Sequence, residues 1–144
     1  MASVFTRIIQ GELPGRFVWK DDEAVAFLTI APIRMGHTLV VPRAEIDHWL
    51  DLPRDLARHL MDVAQAVGQG IQRAFQPVKV GMMIAGLEVP HVHIHLTPIW
   101  NLQDLNFANQ QNDPDPRELD AAAARIRAAL RELGYPQVAD AESR

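Results

Sequence analysis

Cysteine is absent from this 144-residue chain. Its absence excludes disulfide bonds, thiol nucleophiles, iron–sulfur clusters and zinc sites built on thiolates, so chemistry must come from other side chains. Long apolar runs are also missing, since no stretch approaches the roughly 18 uninterrupted apolar residues of a membrane span. Net positive charge is missing as well. The formal charge of −4 disfavours bulk nucleic acid as a partner.

The composition that remains is typical of one globular domain. Hydrophobic residues make up 48% of the chain, which suits a single domain with its own core better than two domains. The first residues carry a charge and lack the apolar run and small-residue cleavage site of a signal peptide. We therefore expect a cytoplasmic protein that binds neither membranes nor nucleic acid.

The N-terminal half predicts one short helix and three strands. Ser3 is a good N-cap for a helix that ends near Gly11. The runs Phe17–Lys20 and Ala24–Leu28 flank an acidic turn, which is typical of a hairpin. Residues 37–41 are rich in β-branched side chains and predict a third strand. The short hairpin connection indicates antiparallel pairing.

The C-terminal half predicts a long helix, two strands and a final helix. Apolar residues recur at intervals of three and four after Asp51 or Pro53, which indicates a helix of about six turns. The later elements are strands at 78–85 and 91–99, a loop at 101–115 and a helix at 116–133. Together these elements predict the α+β class, with a mainly antiparallel five-stranded sheet, a long helix and a C-terminal helix.

Three of the six histidines lie close together in the chain. His91, His93 and His95 alternate with apolar residues in HVHIHLTP. A period of two places successive side chains on opposite faces of a strand. The pattern therefore predicts a strand with one apolar face and one face of imidazole rings.

Three interpretations of this cluster remain open. A solvated strand face is disfavoured because adjacent histidines repel one another once charged. A metal site is possible with His37 as a further ligand, although i and i+4 on a strand lie about 13 Å apart at Cα and zinc bonds are about 2 Å long. In the third interpretation His93 is a nucleophile toward phosphorus and its neighbours hold the phosphate oxygens, which requires no cofactor.

The motif resembles the His-φ-His-φ-His-φ-φ signature of the histidine triad (HIT) family, in which φ is an apolar residue. Other segments resemble the N-terminal half of that family in order and spacing: residues 5–14, 19–22, 26–28, Pro32 and residues 36–43. The resemblance covers nearly everything from Phe5 to Pro98. It implies a HIT-like fold, with residues 1–100 as the HIT domain and residues 101–144 as a C-terminal loop and helix on the same domain.

Members of this family are nucleotide hydrolases and transferases. They act at the α-phosphate of nucleoside 5′-phosphoramidates, dinucleoside polyphosphates and related nucleotides. The resemblance implies that His93 is the nucleophile, that His91 and His95 orient it or contact phosphate, and that His37 is the fourth active-site histidine. It also implies a nucleotidyl-histidine intermediate, a nucleotide substrate, no cofactor and a homodimer. A nucleotide-binding module with little turnover is the alternative.

The resemblance also implies a pocket for the base and ribose. Six apolar residues fall at the corresponding positions: Val4, Phe5, Ile8, Phe27, Ile30 and Leu39. Thr29 occupies the position of an acidic residue that binds the ribose hydroxyls in relatives, so ribose recognition should be weaker or different. Glu88 occupies the place of a hydroxyl residue on the leaving-group side. It could repel phosphate, recognise an amine, act as a general acid or be a solvated turn residue.

Two further positions separate this chain from zinc-bearing relatives. Some bacterial members begin with a Cys-x-x-Cys pair, and the matching positions here are Ser3 and Thr6. We therefore expect the fold to form without a metal. The two remaining histidines, His48 and His59, lie on or near the long helix, and we interpret both as surface or structural residues.

Overall fold

The computed structural model describes residues 1–140. They contain three helices, five strands and three short 3-10 turns. In chain order they are α1 (Val4–Ile9), β1 (Phe17–Lys20), β2 (Ala24–Leu28), β3 (Thr38–Pro42), a turn (Trp49–Asp51), α2 (Arg54–Phe75), β4 (Lys79–Met83), β5 (Ile94–Ile99), two turns (Leu102–Leu105 and Phe107–Asn109) and α3 (Pro116–Glu132).

The five strands form one antiparallel sheet in the order β1-β2-β3-β5-β4. This confirms the predicted α+β class and the five-stranded sheet. Because α2 carries the chain across the sheet between β3 and β4, the last strand inserts between them. The register places His95 opposite Leu39. The histidine-bearing strand therefore lies in the interior of the sheet, with β4 outside it as an edge strand.

Both faces of the sheet are covered. One face packs against α2 and α3 through a core that includes Val40, Val67 and Ile126, all with no exposed surface. The other face packs against α1 through a smaller aromatic cluster that includes Phe5 and Phe27. Each face of the sheet is therefore apolar, and the α1 face carries the histidines.

The helix ends agree with the sequence signals. Ser3 caps α1, and its hydroxyl oxygen accepts a hydrogen bond from the backbone N–H of Thr6. The long helix has 22 residues, which is the expected six turns. Pro116 begins α3 after its cap Asp115, and Gly134 follows its end with φ of +89°. None of the helices in residues 1–140 is long and apolar enough to cross a membrane.

The triad strand is shorter than predicted, because it begins at Ile94 and not at His91. Continuing the β3–β5 ladder past Ile94 would pair Val92 with Pro42, which has no N–H to donate. The backbone N–H of Val92 instead donates to the carbonyl oxygen of Ile46 at 2.7 Å. His91 and His93 therefore precede the regular strand.

The predicted loop at 101–115 is also partly wrong, since two 3-10 turns form inside it. The side chains of Asn101 and Asn106 cap these turns by accepting hydrogen bonds from backbone N–H groups two residues ahead. The asparagines that indicated a loop therefore organise short helical turns. The α3 helix that follows packs on α2, where Leu130 lies against Gly70. The domain boundary at residue 100 stays a prediction, and residues 141–144 of the C-terminal segment lie outside the described residues.

Candidate active site

A cavity of about 910 Å³ opens beside α1 and the sheet face that it covers. It is lined by all eight residues for which the resemblance implied substrate contacts: Val4, Phe5, Ile8, Phe27, Thr29, Ile30, Leu39 and Glu88. His93 and His95 also line it, whereas His37 and His91 lie behind them in the protein. The structure thus brings the predicted residues together, and their roles stay predictions.

Hydrogen bonding determines which nitrogen of His93 carries the proton. Its Nδ1 lies 2.8 Å from the carbonyl oxygen of His91, which can only accept, so Nδ1 is the protonated nitrogen. The lone pair of the neutral ring is therefore on Nε2. Edge contacts with Phe5 and His95, each with 4.8 Å between ring centroids, hold the ring on both sides. His93 has the tautomer that a nucleophile attacking through Nε2 requires.

The same reasoning links His37 to His95. The backbone N–H of Ile33 donates to His37 Nδ1 at 3.1 Å, so the neutral His37 ring carries its proton on Nε2. That nitrogen lies 2.9 Å from His95 Nδ1 and donates to it. The proton of neutral His95 is consequently on Nε2. His37 thereby makes His95 a hydrogen-bond donor on a ring that lines the cavity.

His91 is fully buried and does not line the cavity. Its Nε2–H donates to the carbonyl oxygen of Pro42 at 2.7 Å, and the Ser3 hydroxyl lies 2.7 Å from its Nδ1. Both ring nitrogens are thus used within the protein. Of the two roles that the resemblance left open, this placement favours orienting His93 over contacting phosphate.

All four histidines of the cluster are neutral near pH 7. Burial lowers the pKa of His37 to about 4, with a further decrease from the neighbouring His93. Burial and the adjacent His37 and His93 lower the pKa of His95 to about 3. Burial also lowers the pKa of His91 and His93, although each hydrogen bond to a backbone carbonyl opposes the shift. The cluster therefore presents a lone pair and a donor, and no positive charge.

We expect the free energy of unfolding to fall as pH is lowered from 7 to 5. Unfolded histidines bind protons near pH 6.5, whereas the depressed pKa values of His37 and His95 keep the folded protein from binding them in that range. Stability is fully present above pH 6.5, and each such histidine removes up to about 1.4 kcal/mol per pH unit below it. Urea denaturation at pH 7, 6 and 5 measures the slope.

The control for this prediction is His48→Gln, which alters an exposed histidine and should leave the slope unchanged. A His37→Gln variant should reduce the slope, because it removes one of the two groups responsible. Stability that is independent of pH between 7 and 5 in the unmodified protein would contradict the assignment.

The residues at the positions of the Cys-x-x-Cys pair do not fit a zinc ion. Ser3 and Thr6 offer hydroxyl groups, which are not among the sulfur, imidazole and carboxylate ligands that zinc takes. Both hydroxyls are engaged in hydrogen bonds, Ser3 with His91 and Thr6 with Glu45. Within residues 1–140, no group of three or more histidine, cysteine and acidic side chains is arranged to hold a metal ion.

Sequence reasoning missed Phe107 and the residues that place it. Its ring lies 4.9 Å from the ring of His95 and lines the cavity. The buried carboxylate of Asp104 holds this part of the chain, because it accepts a hydrogen bond from Arg34 at 2.6 Å and another from the backbone N–H of Trp100 at 2.8 Å. An aromatic residue in a polar stretch was the available signal.

Thr29 and Glu88, which depart from the family pattern, both line the cavity. Thr29 uses its hydroxyl oxygen locally, accepting a hydrogen bond from the backbone N–H of Ala31 at 3.2 Å. Glu88 is exposed, and its negative charge acts on His93, whose pKa it raises slightly against the larger effect of burial. Glu88 and His93 therefore line the same cavity.

The other two histidines belong to different parts of the described structure, as expected. His59 Nε2 lies 2.8 Å from Asp21 Oδ2, which links α2 to the β1–β2 turn. His48 accepts a hydrogen bond from the backbone N–H of Leu50 through Nδ1 at 3.4 Å and caps a 3-10 turn. Both residues are structural in this arrangement.

Comparison with known proteins agrees with this geometry. The model of the HIT domain matches residues 10–100. The chain belongs to the HIT family. It is 35% identical over 127 residues to an uncharacterized HIT-like protein of Mycobacterium tuberculosis, covering 80% of this chain and 85% of that protein. It is 29% identical over 106 residues to Protein hit of Bacillus subtilis, covering 70% and 73% of the two chains.

Solved structures of the HIT family share the fold. The crystal structure of a zinc-bound histidine triad family protein from Mycobacterium smegmatis superposes with a TM-score of 0.80 at 27% identity, covering 92% of this chain and 96% of that one. The HIT-like fold expected from the resemblance is thus confirmed. HIT membership supports nucleotide binding and hydrolase or transferase chemistry in general.

Proposed function

We propose that this HIT protein hydrolyses nucleotides, or transfers nucleotidyl groups, at the α-phosphate through a covalent intermediate on His93. The observation that carries the proposal is the neutral His93 ring, whose Nδ1–H is bound to a carbonyl and whose Nε2 is left unprotonated at the cavity. The substrates are nucleoside 5′-phosphoramidates, dinucleoside polyphosphates or related compounds.

In the first step Nε2 of His93 attacks the α-phosphorus, and the bond from phosphorus to the leaving group breaks. A leaving nitrogen takes up a proton from solvent as it departs, whereas a polyphosphate oxygen departs as an anion. Positive charge develops on the imidazole ring, and the hydrogen bond from Nδ1 to the His91 carbonyl oxygen stabilises it. The Nε2–H of His95 can donate to a phosphate oxygen where negative charge increases.

In the second step water attacks the same phosphorus and the bond from phosphorus to Nε2 breaks. The nucleoside monophosphate leaves, the water proton passes to solvent, and Nε2 recovers its lone pair. Dividing one displacement into two gives each step a good leaving group. No step in this scheme requires a metal ion or an organic cofactor.

The apolar part of the cavity suits a nucleoside. Phe5, Phe27 and Leu39 are buried side chains of the α1 face, and Ile8 and Ile30 extend the same surface outward. Aromatic and aliphatic side chains of this kind stack against a flat base without hydrogen-bond readout. Thr29 supplies one hydroxyl in place of a carboxylate, so we propose that ribose contributes little to binding.

The test is incubation of the purified protein with adenosine 5′-phosphoramidate and with diadenosine tetraphosphate. We expect release of adenosine monophosphate, and acid-free quenching followed by mass spectrometry should find a nucleotidyl group on the peptide that contains His93. The proposal fails if neither substrate is turned over and no adduct forms.

A nucleotide-binding module is the second candidate, and the position of Glu88 favours it. A carboxylate on the cavity wall, without a positively charged histidine to offset it, opposes the negative charge that develops on the leaving group during reaction, whereas the apolar part of the cavity can still hold the base. Nucleotide binding by calorimetry without turnover of any phosphoramidate or anhydride would support the module and exclude the hydrolase.

We expect Glu88→Gln to change the preference between leaving groups. The negative charge at position 88 repels a polyphosphate leaving group and attracts a leaving group that carries an ammonium. Its removal should raise the kcat/KM ratio of diadenosine tetraphosphate to a lysyl phosphoramidate about tenfold, which corresponds to about 1.4 kcal/mol. Steady-state kinetics on both substrates measures that ratio.

Glu132→Gln is the matched control, because it removes a carboxylate that pairs with Arg73, and neither residue lines the cavity. An unchanged ratio in Glu88→Gln would show that Glu88 is only a solvated turn residue.

We also propose that two copies of this chain form a homodimer through β4. This edge strand leaves Met82 44% exposed, and the flanking Val78 and Ile84 are exposed as well. An exposed apolar edge strand can pair with a second copy and extend the sheet. Sedimentation velocity across a hundredfold range of concentration tests this, and a monomer throughout would contradict it.

A further inference from the structure

A hydrogen-bonded cluster connects the N-terminus of α1 to the triad. It consists of Ser3, Thr6, Glu45 and His91, and we call it the Glu45 network. The backbone N–H of Ser3 and the hydroxyl of Thr6 both donate to Glu45 Oε1 at 2.6 Å. The Thr6 backbone N–H donates to Ser3 Oγ at 3.0 Å, and the Ser3 hydroxyl donates to His91 Nδ1 at 2.7 Å.

The network joins three parts of the molecule that are distant in sequence. Glu45 follows β3, Ser3 and Thr6 form the first turn of α1, and His91 precedes β5. The carbonyl oxygen of His91 accepts the hydrogen bond from His93 Nδ1. Hydrogen bonds, joined through the covalent structure of Ser3 and His91, therefore connect an exposed carboxylate to the ring of His93.

Glu45 also decides which hydroxyl reaches His91. The Thr6 hydroxyl lies 3.5 Å from His91 Nδ1 and 2.6 Å from Glu45, so the carboxylate draws its proton away from the histidine. Ser3 is then the donor to Nδ1, and the His91 proton stays on Nε2, bound to Pro42. The carboxylate is the stronger acceptor because it is charged, and its pKa is lowered mainly by the hydrogen bond from the Ser3 N–H.

We propose that Glu45 is a positioning residue that acts through Ser3 and His91 on His93 and at the same time holds α1 as a wall of the cavity. The second effect follows because Val4 and Phe5 lie in the turn that the network fixes, and both line the cavity. The effect on His93 rests on the proposed role of that residue as the nucleophile. Ser3 and Thr6 stand at the positions of the Cys-x-x-Cys pair of some bacterial relatives, and here they make hydrogen bonds to Glu45 and His91.

The test compares Glu45→Ala with Glu45→Gln and with Glu12→Ala. Alanine removes the acceptor, whereas glutamine keeps an oxygen that can accept from Ser3 and Thr6. Glu12→Ala is the matched control, since Glu12 contacts α1 through Arg7 at 3.6 Å without reaching the network. For Glu45→Ala we expect kcat to fall about tenfold and KM to rise a few-fold, the scale of one lost charged hydrogen bond. The kcat and KM of Glu45→Gln should stay within about threefold of those of the unmodified protein. Those of Glu12→Ala should equal the values of the unmodified protein.

A spectroscopic readout separates this proposal from the proposed function. Long-range ¹H–¹⁵N NMR of the imidazole rings reports the hydrogen bond at His91 Nδ1 through its ¹⁵N shift, without any turnover. We expect the same His91 Nδ1 shift in the unmodified protein and in Glu45→Gln, and a shift toward that of a nitrogen without a hydrogen-bond donor in Glu45→Ala, because Ser3 is then no longer held against the ring. If the unmodified protein shows no turnover, the proposed function fails while the NMR comparison still decides the role of Glu45.

An unchanged His91 Nδ1 shift and unchanged nucleotide affinity in Glu45→Ala would overturn the proposal. If Glu45→Ala does not fold, as judged by circular dichroism, Thr6→Val replaces it. Valine removes one donor to Glu45 with little change of volume, and a smaller change of the His91 Nδ1 shift in the same direction is expected there. Thr6→Ser, which keeps the hydroxyl, should leave the His91 Nδ1 shift unchanged, and a changed shift in Thr6→Ser would equally contradict the network.

Discussion

We expect the replacement of His93 with glycine to lower kcat/KM at least 1,000-fold and added imidazole to restore part of the loss. Residues that act as nucleophiles contribute by factors of this size, because without them the reaction loses its covalent step. The His93 ring is 7% exposed and is held by edge contacts with Phe5 and His95. Its removal leaves a ring-sized space beside the cavity that free imidazole can enter.

Release of adenosine monophosphate from a phosphoramidate is the measurement, with and without imidazole at concentrations up to 100 times the protein. His48→Ala is the control, because that histidine lies outside the cavity and should leave kcat/KM unchanged. Turnover by His93→Gly near the unmodified rate would exclude His93 as the nucleophile and would make His95 the candidate. Rescue by imidazole also argues against misfolding, since an unfolded protein cannot be restored by a small base.

Secondary structure with a clear period could be predicted from sequence because its signals are local. The strands Phe17–Lys20 and Ala24–Leu28 have the predicted bounds, and the six turns of α2 follow from apolar spacing alone. The start of β5 could not be predicted in this way. It depends on Pro42 in a neighbouring strand, 52 positions before Ile94 in the chain, and no local pattern contains that information.

In the candidate site, too, local patterns could be predicted and long-range contacts could not. Alternation of the three triad histidines was visible in the sequence, and the resemblance supplied His37. Their different placement was not visible, because it depends on contacts such as that between His37 and His95, which are 58 positions apart. Even spacing suggested three equivalent rings on one solvated or catalytic face, whereas packing buries His91 and leaves His93 and His95 at the cavity.

Gly36→Ala should lower the free energy of unfolding by about 3 kcal/mol, which corresponds to a Tm lower by about 10 °C. Gly36 has φ of +103°, a conformation that residues with a Cβ rarely adopt. A Cβ at this position would lie 2.7 Å from Cε2 of Phe75, at the end of α2. Backbone strain and steric overlap therefore add at one position.

The matched control is Gly11→Ala, because Gly11 also has a positive φ, of +82°, but a Cβ there would meet nothing within 4 Å. Gly11→Ala should lower the free energy of unfolding by about 1 kcal/mol, which is the contribution of backbone strain alone. Comparing the two variants by urea denaturation isolates the overlap with Phe75. Equal losses of unfolding free energy in both variants would show that the Phe75 ring moves aside at no cost.

Gly36→Ala should also lower activity under conditions where the variant is fully folded. Its neighbour His37 supplies the donor to His95 Nδ1, and we expect the overlap with Phe75 and the strained φ to displace the backbone beside His37. His95 would then lose the hydrogen bond that keeps its proton on Nε2. We expect kcat to fall about tenfold at 15 °C, with KM nearly unchanged because neither residue lines the cavity. Gly11→Ala should retain full kcat, and a Gly36→Ala variant with normal kcat would contradict the link between His37 and His95.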